Sequence, residues 1–177
     1  MKTLLNEGQL NITLQRLAHQ LVENHLSFAD TAIIGIQPRG IYLSDRIAGL
    51  IQKITGNNHI NYGKLDITFY RDDVHSSDIH VPAATDMPFS IEGRNVILID
   101  DVLHTGRTIR SAMDALIDFG RPRKVELLVL TDRRFSRELP VQPDYCGHTV
   151  DTILSQKVIV YWKEKDGKDE VVLIDKV

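Results

Sequence analysis

The sequence predicts an α/β fold, a mainly parallel twisted sheet flanked by helices, and three observations carry that expectation. Short, largely apolar runs at 31–36, 95–99 and 125–130 lack the polar alternation of a half-solvated strand, as strands covered on both faces do. Around them, apolar residues recur at the 3.6-residue period of amphipathic helices. The first two runs end in turns rich in Gly, Pro, Asp and Thr. Strands alternating with helices give parallel sheets, because a parallel neighbour can be reached only by a crossover.

Leu10, Leu14, Leu17, Leu21 and Val22 mark a first amphipathic helix, with Gln15, Arg16, His19, Gln20 and Glu23 on its other faces. The run 31–36 is a buried strand ended by the turn Gln37-Pro38-Arg39-Gly40, and Ile47, Leu50, Ile51 and Ile54 form the helix that follows. From Lys64 to Tyr70 the pattern alternates, with Leu65, Ile67 and Phe69 on one face, which predicts a strand. Residues 71–92 show no period and carry Asp72, Asp73, Ser76, Ser77 and Asp78. A loop this long inside a compact domain reads as a mobile functional lid.

The run 95–99 is the next strand, followed by an acidic, glycine-containing turn and a helix faced by Ile109, Ala112, Met113 and Leu116. Gly120 and Pro122 stop that helix, and a strand at 125–130 follows. Residues 132–148 read as a loop-rich excursion. The runs 157–162 and 171–174 read as late strands, an antiparallel pair turned at Asp166-Gly167.

A chain of 177 residues is long enough for one good core and short for two, so a single domain over 1–177 is expected. A charged fraction of 25% beside 42% apolar residues is that of a folded domain rather than a disordered chain. The net charge of −3 does not advertise a polyanion partner, so any nucleic-acid role must rest on a local surface. The only cysteine, Cys146, excludes an internal disulfide and a Cys-rich metal site and fits a reducing compartment. No run has the length of a membrane span and the first residues lack a signal-peptide pattern, so the expected location is the cytoplasm, with no membrane partner.

The chemistry concentrates in Val96-Ile-Leu-Ile-Asp-Asp-Val-Leu-His-Thr-Gly-Arg-Thr108. A buried strand brings the carboxylates of Asp100 and Asp101 to the carboxyl edge of the sheet, where open α/β folds bind ligands. The following bend, His104 to Thr108, turns into a helix. Backbone N–H groups, the helix dipole and two hydroxyls converge there on a site suited to a phosphate. Carboxylates for ribose hydroxyls beside an anion cradle suit a sugar phosphate. Neither a Gly-x4-Gly-Lys nucleotide loop nor a Gly-x-Gly-x-x-Gly turn is present.

This stretch resembles the phosphoribosyl pyrophosphate signature of the type I phosphoribosyltransferases. Further likeness lies in Arg39-Gly-Ile-Tyr-Leu43, Asp66-Ile-Thr-Phe-Tyr-Arg-Asp-Asp73, Asp114-Ala-Leu116, Asp118, Gly120-Arg-Pro122, Asp132-Arg133 and Arg137-Glu-Leu-Pro140. Those segments are similar to the branch of the family that joins uracil phosphoribosyltransferase activity to attenuation of the pyrimidine operon, and the likeness weakens after Gly147. The resemblance implies the type I phosphoribosyltransferase fold. It also implies transfer of a phosphoribosyl group from phosphoribosyl pyrophosphate to uracil, giving UMP and pyrophosphate, with Mg2+ held mainly by substrate oxygens and water rather than by protein ligands.

In its terms Asp100 and Asp101 hold the ribose hydroxyls, Thr105, Gly106, Arg107 and Thr108 hold the 5′-phosphate, and Val102 and Leu103 belong to the substrate-binding residues. Pro38, Arg39 and Gly40 face the pyrophosphate, and Arg71 reaches it from the long loop, which Tyr70-Arg71-Asp72-Asp73 opens and which resembles the family's flexible hood. His104 stands where purine-using relatives carry a carboxylate, and is either the base that deprotonates uracil or a pocket-lining side chain. Arg133 is either a contact to the nucleobase, with the Val158 backbone as complement, or a surface partner of Asp132. The branch also implies a homodimer or larger homo-oligomer and a basic surface for pyrimidine operon leader RNA, here Arg16, His19, Arg134 and Arg137. Gln15, Asn24 and Leu154 depart from that surface, so three readings stand: enzyme and attenuator, enzyme without RNA binding, and RNA regulator on an inherited fold. A transferase for a purine base such as hypoxanthine shares the signature, but the missing carboxylate at position 104 favours uracil.

Overall fold

The structure, a computed structural model, describes residues 1–72, 82–153 and 155–175. The first helix, α1 (Glu7–His25), follows a short strand, β1 (Lys2–Leu5), and starts where it does because Asn6 and Gln9 cap it reciprocally, at 2.9 and 3.0 Å. Its leucines at 10, 14, 17 and 21 all point inward.

The chain then winds β2 (Thr31–Ile36), α2 (Gly40–Thr55), β3 (Asn61–Leu65), β4 (Asn95–Leu103), α3 (Arg107–Leu116), β5 (Lys124–Arg134) and β6 (Tyr145–Asp151). Five of these strands form one parallel sheet in the order β3-β2-β4-β5-β6. Its centre is covered on both faces, which explains the unbroken apolar runs. Ile33, Ile97 and Leu128 pack beneath α1 and α2, while Ile34, Leu98 and Val129 pack against Ile109, Ala112 and Leu116 of α3.

A second, antiparallel sheet, β1-β8-β7, is made from the ends of the chain, with β7 (Gln156–Tyr161) and β8 (Glu170–Asp175) as the expected pair. The connection between them is a helical turn, α4 (Lys163–Asp166), before Gly167 in the left-handed region at φ 75°. Among the described residues no helix is long and apolar enough to cross a membrane.

Four elements differ from expectation. The alternation at 64–70 is not one strand: β3 ends at Leu65 and 68–70 coil into a 3-10 turn. The Asp66 carboxylate accepts from the Thr68 backbone N–H at 3.0 Å and its hydroxyl at 2.7 Å, which bends the chain and leaves Phe69 80% exposed. Asp100 and Asp101 lie within β4 rather than in a turn, because pairing with β5 continues past them to Val102↔Thr131 and Leu103↔Asp132. The excursion at 132–148 is shorter than its composition suggests: β5 runs on to Arg134 and β6 begins at Tyr145. Strand β1 has no signal of its own and exists through its pairing with β8. Of the expected hood, residues 73–81 lie outside the described residues.

Candidate active site

Parallel strands in register carry their carboxyl ends to one edge, and three consecutive ends of the large sheet build the site. After β2, the turn Gln37-Pro38-Arg39 leads into α2, with a cis peptide between Gln37 and Pro38. Gly40 opens α2 against β4: a Cβ there would come 2.6 Å from the Ile99 carbonyl oxygen and 3.1 Å from the Asp100 Cα. Only glycine lets that helix start so close to the acidic pair.

Both carboxylates are nearly sealed from solvent, Asp100 at 8% and Asp101 at 7% exposure. For Asp100, burial and then the neighbouring charge of Asp101 push the pKa up to about 8; the Asp101 backbone N–H and the guanidinium groups of Arg71 and Arg39 act against this. Burial also raises Asp101, opposed chiefly by Arg39, whose Nε donates to Asp101 Oδ2 at 3.2 Å. Buried neighbouring carboxylates facing arginines and an open cavity are costly for folding and suited to hydroxyl-bearing ligands.

The next bend is shaped to hold an anion. Gly106 takes φ 94°, in the left-handed region, directly before α3, so the chain turns sharply and the first N–H groups of the helix stay free of intrahelical acceptors. A cavity of about 240 Å3 lies in front of it, lined by residues 102–109 with Asp100, Ser111, Arg71 and Asp72. The side chain of Arg107 is held by Glu138 at 2.6 Å and by Asp72, another residue of the cavity wall, at 2.5 Å.

The loop after β5 braces this bend. Backbone N–H groups of Glu138 and Leu139 both donate to the Thr105 carbonyl at 3.0 Å, and Arg137 donates to the His104 carbonyl and to Asp132. Asp132 is therefore the partner of Arg137 rather than of Arg133. Arg133 is instead buried at 3% exposure, donating to Thr152 Oγ1 at 3.2 Å and the Gln156 carbonyl at 2.7 Å. It lines a second cavity of about 300 Å3 with Arg39, Asp101, Val102, His104 and residues 157–160 of β7. Val102 and His104 wall both cavities, so the two adjoin at the acidic edge.

Every residue expected around the sugar phosphate and the base that is named in the two cavity walls thus meets at one place, Arg71 and Val158 included. Pro38 and Gly40 are named in neither wall; Pro38 lies in the turn before α2, and Gly40 lies against β4 beside Asp100. Arg16, His19 and Arg134 lie elsewhere and are exposed. Arg16 reaches the Gly147 carbonyl at 2.6 Å beside β6, and Arg134 pairs with Asp151 at 2.7 Å. Arg137, expected on the same outer surface, is turned to the phosphate bend.

Sequence reasoning missed Trp162, Asp166 and Glu138. Asp166 lies 3.6 Å from Arg39, and these residues come from turns whose closeness to the site depends on tertiary packing. Among the described residues no group of three His, Cys, Asp or Glu is placed to hold a metal ion.

Comparison with known proteins gives the family and the fold. Residues 1–165 match the model of the phosphoribosyl transferase domain. The chain is 47% identical to the Bifunctional protein PyrR of Elusimicrobium minutum, with 99% of this chain and 98% of the relative covered. It is 44% identical to the protein of the same name from Picosynechococcus sp., covering 97% and 96%. Its fold is similar to a hypoxanthine phosphoribosyltransferase of Trypanosoma cruzi, with a TM-score of 0.71, 16% identity and 100% and 98% of the chains covered. A Staphylococcus aureus hypoxanthine phosphoribosyltransferase gives 0.72 at 19% identity, covering 96% and 90%. At such identities the likeness speaks for the fold alone, whereas the near full-length relatives and the domain match show that the chain belongs to the phosphoribosyltransferase family.

Proposed function

We propose that the protein transfers the phosphoribosyl group of phosphoribosyl pyrophosphate to uracil, releasing pyrophosphate and forming UMP. The observation that carries this reading is the adjacency of the two cavities: one presents a phosphate cradle, the other a half-apolar slot, and the buried Asp100–Asp101 pair stands between them. A nucleoside monophosphate has the same order of parts. Phosphate would sit on the N–H groups of 105–108, ribose hydroxyls would donate to Asp100 and Asp101, and the base would lie along Val158 and Arg133.

As the C1′–oxygen bond to pyrophosphate breaks, positive charge develops on the sugar, and the bond from C1′ to uracil N1 forms with loss of the N1 proton. His104, which walls both cavities, would accept that proton. Arg39 and Arg71 supply positive charge for the departing pyrophosphate. Mg2+ would neutralise further charge on it. The carboxylates at 100 and 101, beside a pyrophosphate, would suit a hard cation held through substrate and water.

His104, where purine-using relatives carry a carboxylate, favours uracil over hypoxanthine. Incubation with phosphoribosyl pyrophosphate, Mg2+ and each base decides: UMP is the expected product, and nucleotide formed from hypoxanthine alone would reject uracil.

The near full-length likeness to relatives named as bifunctional supports a second role, UMP-dependent binding of pyrimidine operon leader RNA by assembled copies of the chain. Arg16 and His19, exposed on one face of α1, and Arg134 would meet the phosphates. A gel shift with the host's own leader, with and without UMP, tests this. Binding that is indifferent to UMP, or none, would leave the enzyme alone.

A further inference from the structure

Trp162 follows β7, whose residues line the base cavity, and is completely buried. Its indole N–H has no hydrogen-bond partner. A buried donor left unpaired destabilises the fold, so its persistence calls for a reason. The ring is held firmly. The Arg46 guanidinium stacks on it at 4.9 Å and is itself fixed by Glu164 and Asp169, each at 2.7 Å.

Around the indole runs a chain of contacts. The Trp162 backbone N–H donates to Asp166 Oδ2 at 2.9 Å, Asp166 lies 3.6 Å from Arg39 Nη2, and Arg39 donates to Asp101 and to the Val160 carbonyl. The indole N–H favours the charged form of Asp101 while making no full hydrogen bond to it. Arg39 is thus the present donor to Asp101, with the unpaired indole in reserve beside it.

We infer that Trp162 is a positioning residue for Asp101. When the pyrophosphate draws Arg39 away, the indole N–H takes over as donor to the Asp101 carboxylate and keeps it oriented toward the ribose hydroxyls. This rests on the part of the proposed function that has Arg39 facing pyrophosphate, and is independent of which base is used.

Trp162→Phe keeps a ring under Arg46 and removes only the donor and some volume. Calorimetry should show phosphoribosyl pyrophosphate with Mg2+ binding roughly tenfold more weakly, the scale of one hydrogen bond to a charged group. The melting temperature should stay near that of the wild type, because an unpaired donor is lost. The double variant Trp162→Phe/Asp101→Asn should bind no more weakly than Asp101→Asn alone. A folded Trp162→Phe protein with unchanged affinity would overturn the inference.

Trp162 is the only tryptophan in the chain, so should the variant not fold, wild-type emission decides. A shift on saturation with the same ligand supports the exchange of partners, and an unmoved spectrum overturns it. Absence of UMP synthesis with these contrasts intact would reject uracil as the substrate and leave the role of Trp162 standing.

Discussion

The two cavities at the acidic edge are built in opposite ways. The phosphate side comes almost entirely from one contiguous stretch, the end of β4 and the bend into α3, with Arg71 and Asp72 added. The base side is gathered from the turn after β2, the end of β4, the end of β5 and strand β7, which lie far apart in the chain. A contiguous nest keeps its geometry from local backbone conformation, while the gathered slot depends on how two sheets pack. Substitutions should separate accordingly, the first side governing the sugar phosphate and the second the base.

The largest effect is expected at the boundary. Asp100→Asn, or Asp101→Asn, should lower kcat/KM by about 100-fold or more while leaving the fold intact, because each replaces a carboxyl group that would accept from a ribose hydroxyl beside the developing positive sugar. Steady-state kinetics with uracil check this, and near wild-type rates would remove the pair from the chemistry. Next comes Arg133→Leu, which should raise the KM for uracil roughly tenfold and leave the affinity for phosphoribosyl pyrophosphate unchanged. An equal loss for both substrates would erase the division between the cavities.

A smaller effect, about threefold to tenfold, is expected from Arg137→Ala. It releases the His104 carbonyl and should weaken UMP binding, read by calorimetry, through a looser phosphate bend.

The smallest effect is on stability and depends on pH. Burial raises Asp100 from 3.8 to about 8, so between those values the folded protein binds a proton that the unfolded chain has released. Stability from this group is therefore present below the unfolded value and lost as pH rises through the folded one. Asp100→Asn removes that loss, and its melting temperature relative to wild type should climb by a few degrees between about pH 5 and pH 9. A constant difference across that range would mean that the carboxylate is not held in the protonated form by its surroundings.

The same contrast explains what the sequence made legible. Val96 to Thr108 announces strand, acidic pair and anion bend because each depends on near neighbours, and the fully buried runs of β2, β4 and β5 declare a sheet covered on both faces. Residues 64–70 misled because alternation alone cannot see the Asp66 carboxylate capturing Thr68 and turning the chain. Strand β6 was hidden by Gly147 and His148, which pair because β5 continues alongside them. Trp162 looked like the last residue of an apolar strand. Its orphaned indole beside Asp101 is a fact of packing between two sheets that share no local sequence.

A crystal structure of the protein with UMP decides whether one nucleotide spans both cavities. The expected arrangement has the phosphate on the backbone N–H groups of 105–108, both ribose hydroxyls donating to Asp100 and Asp101, and the uracil ring between Val158 and Arg133. A nucleotide bound with its phosphate away from that bend, or with its ribose turned from the two carboxylates, would contradict it.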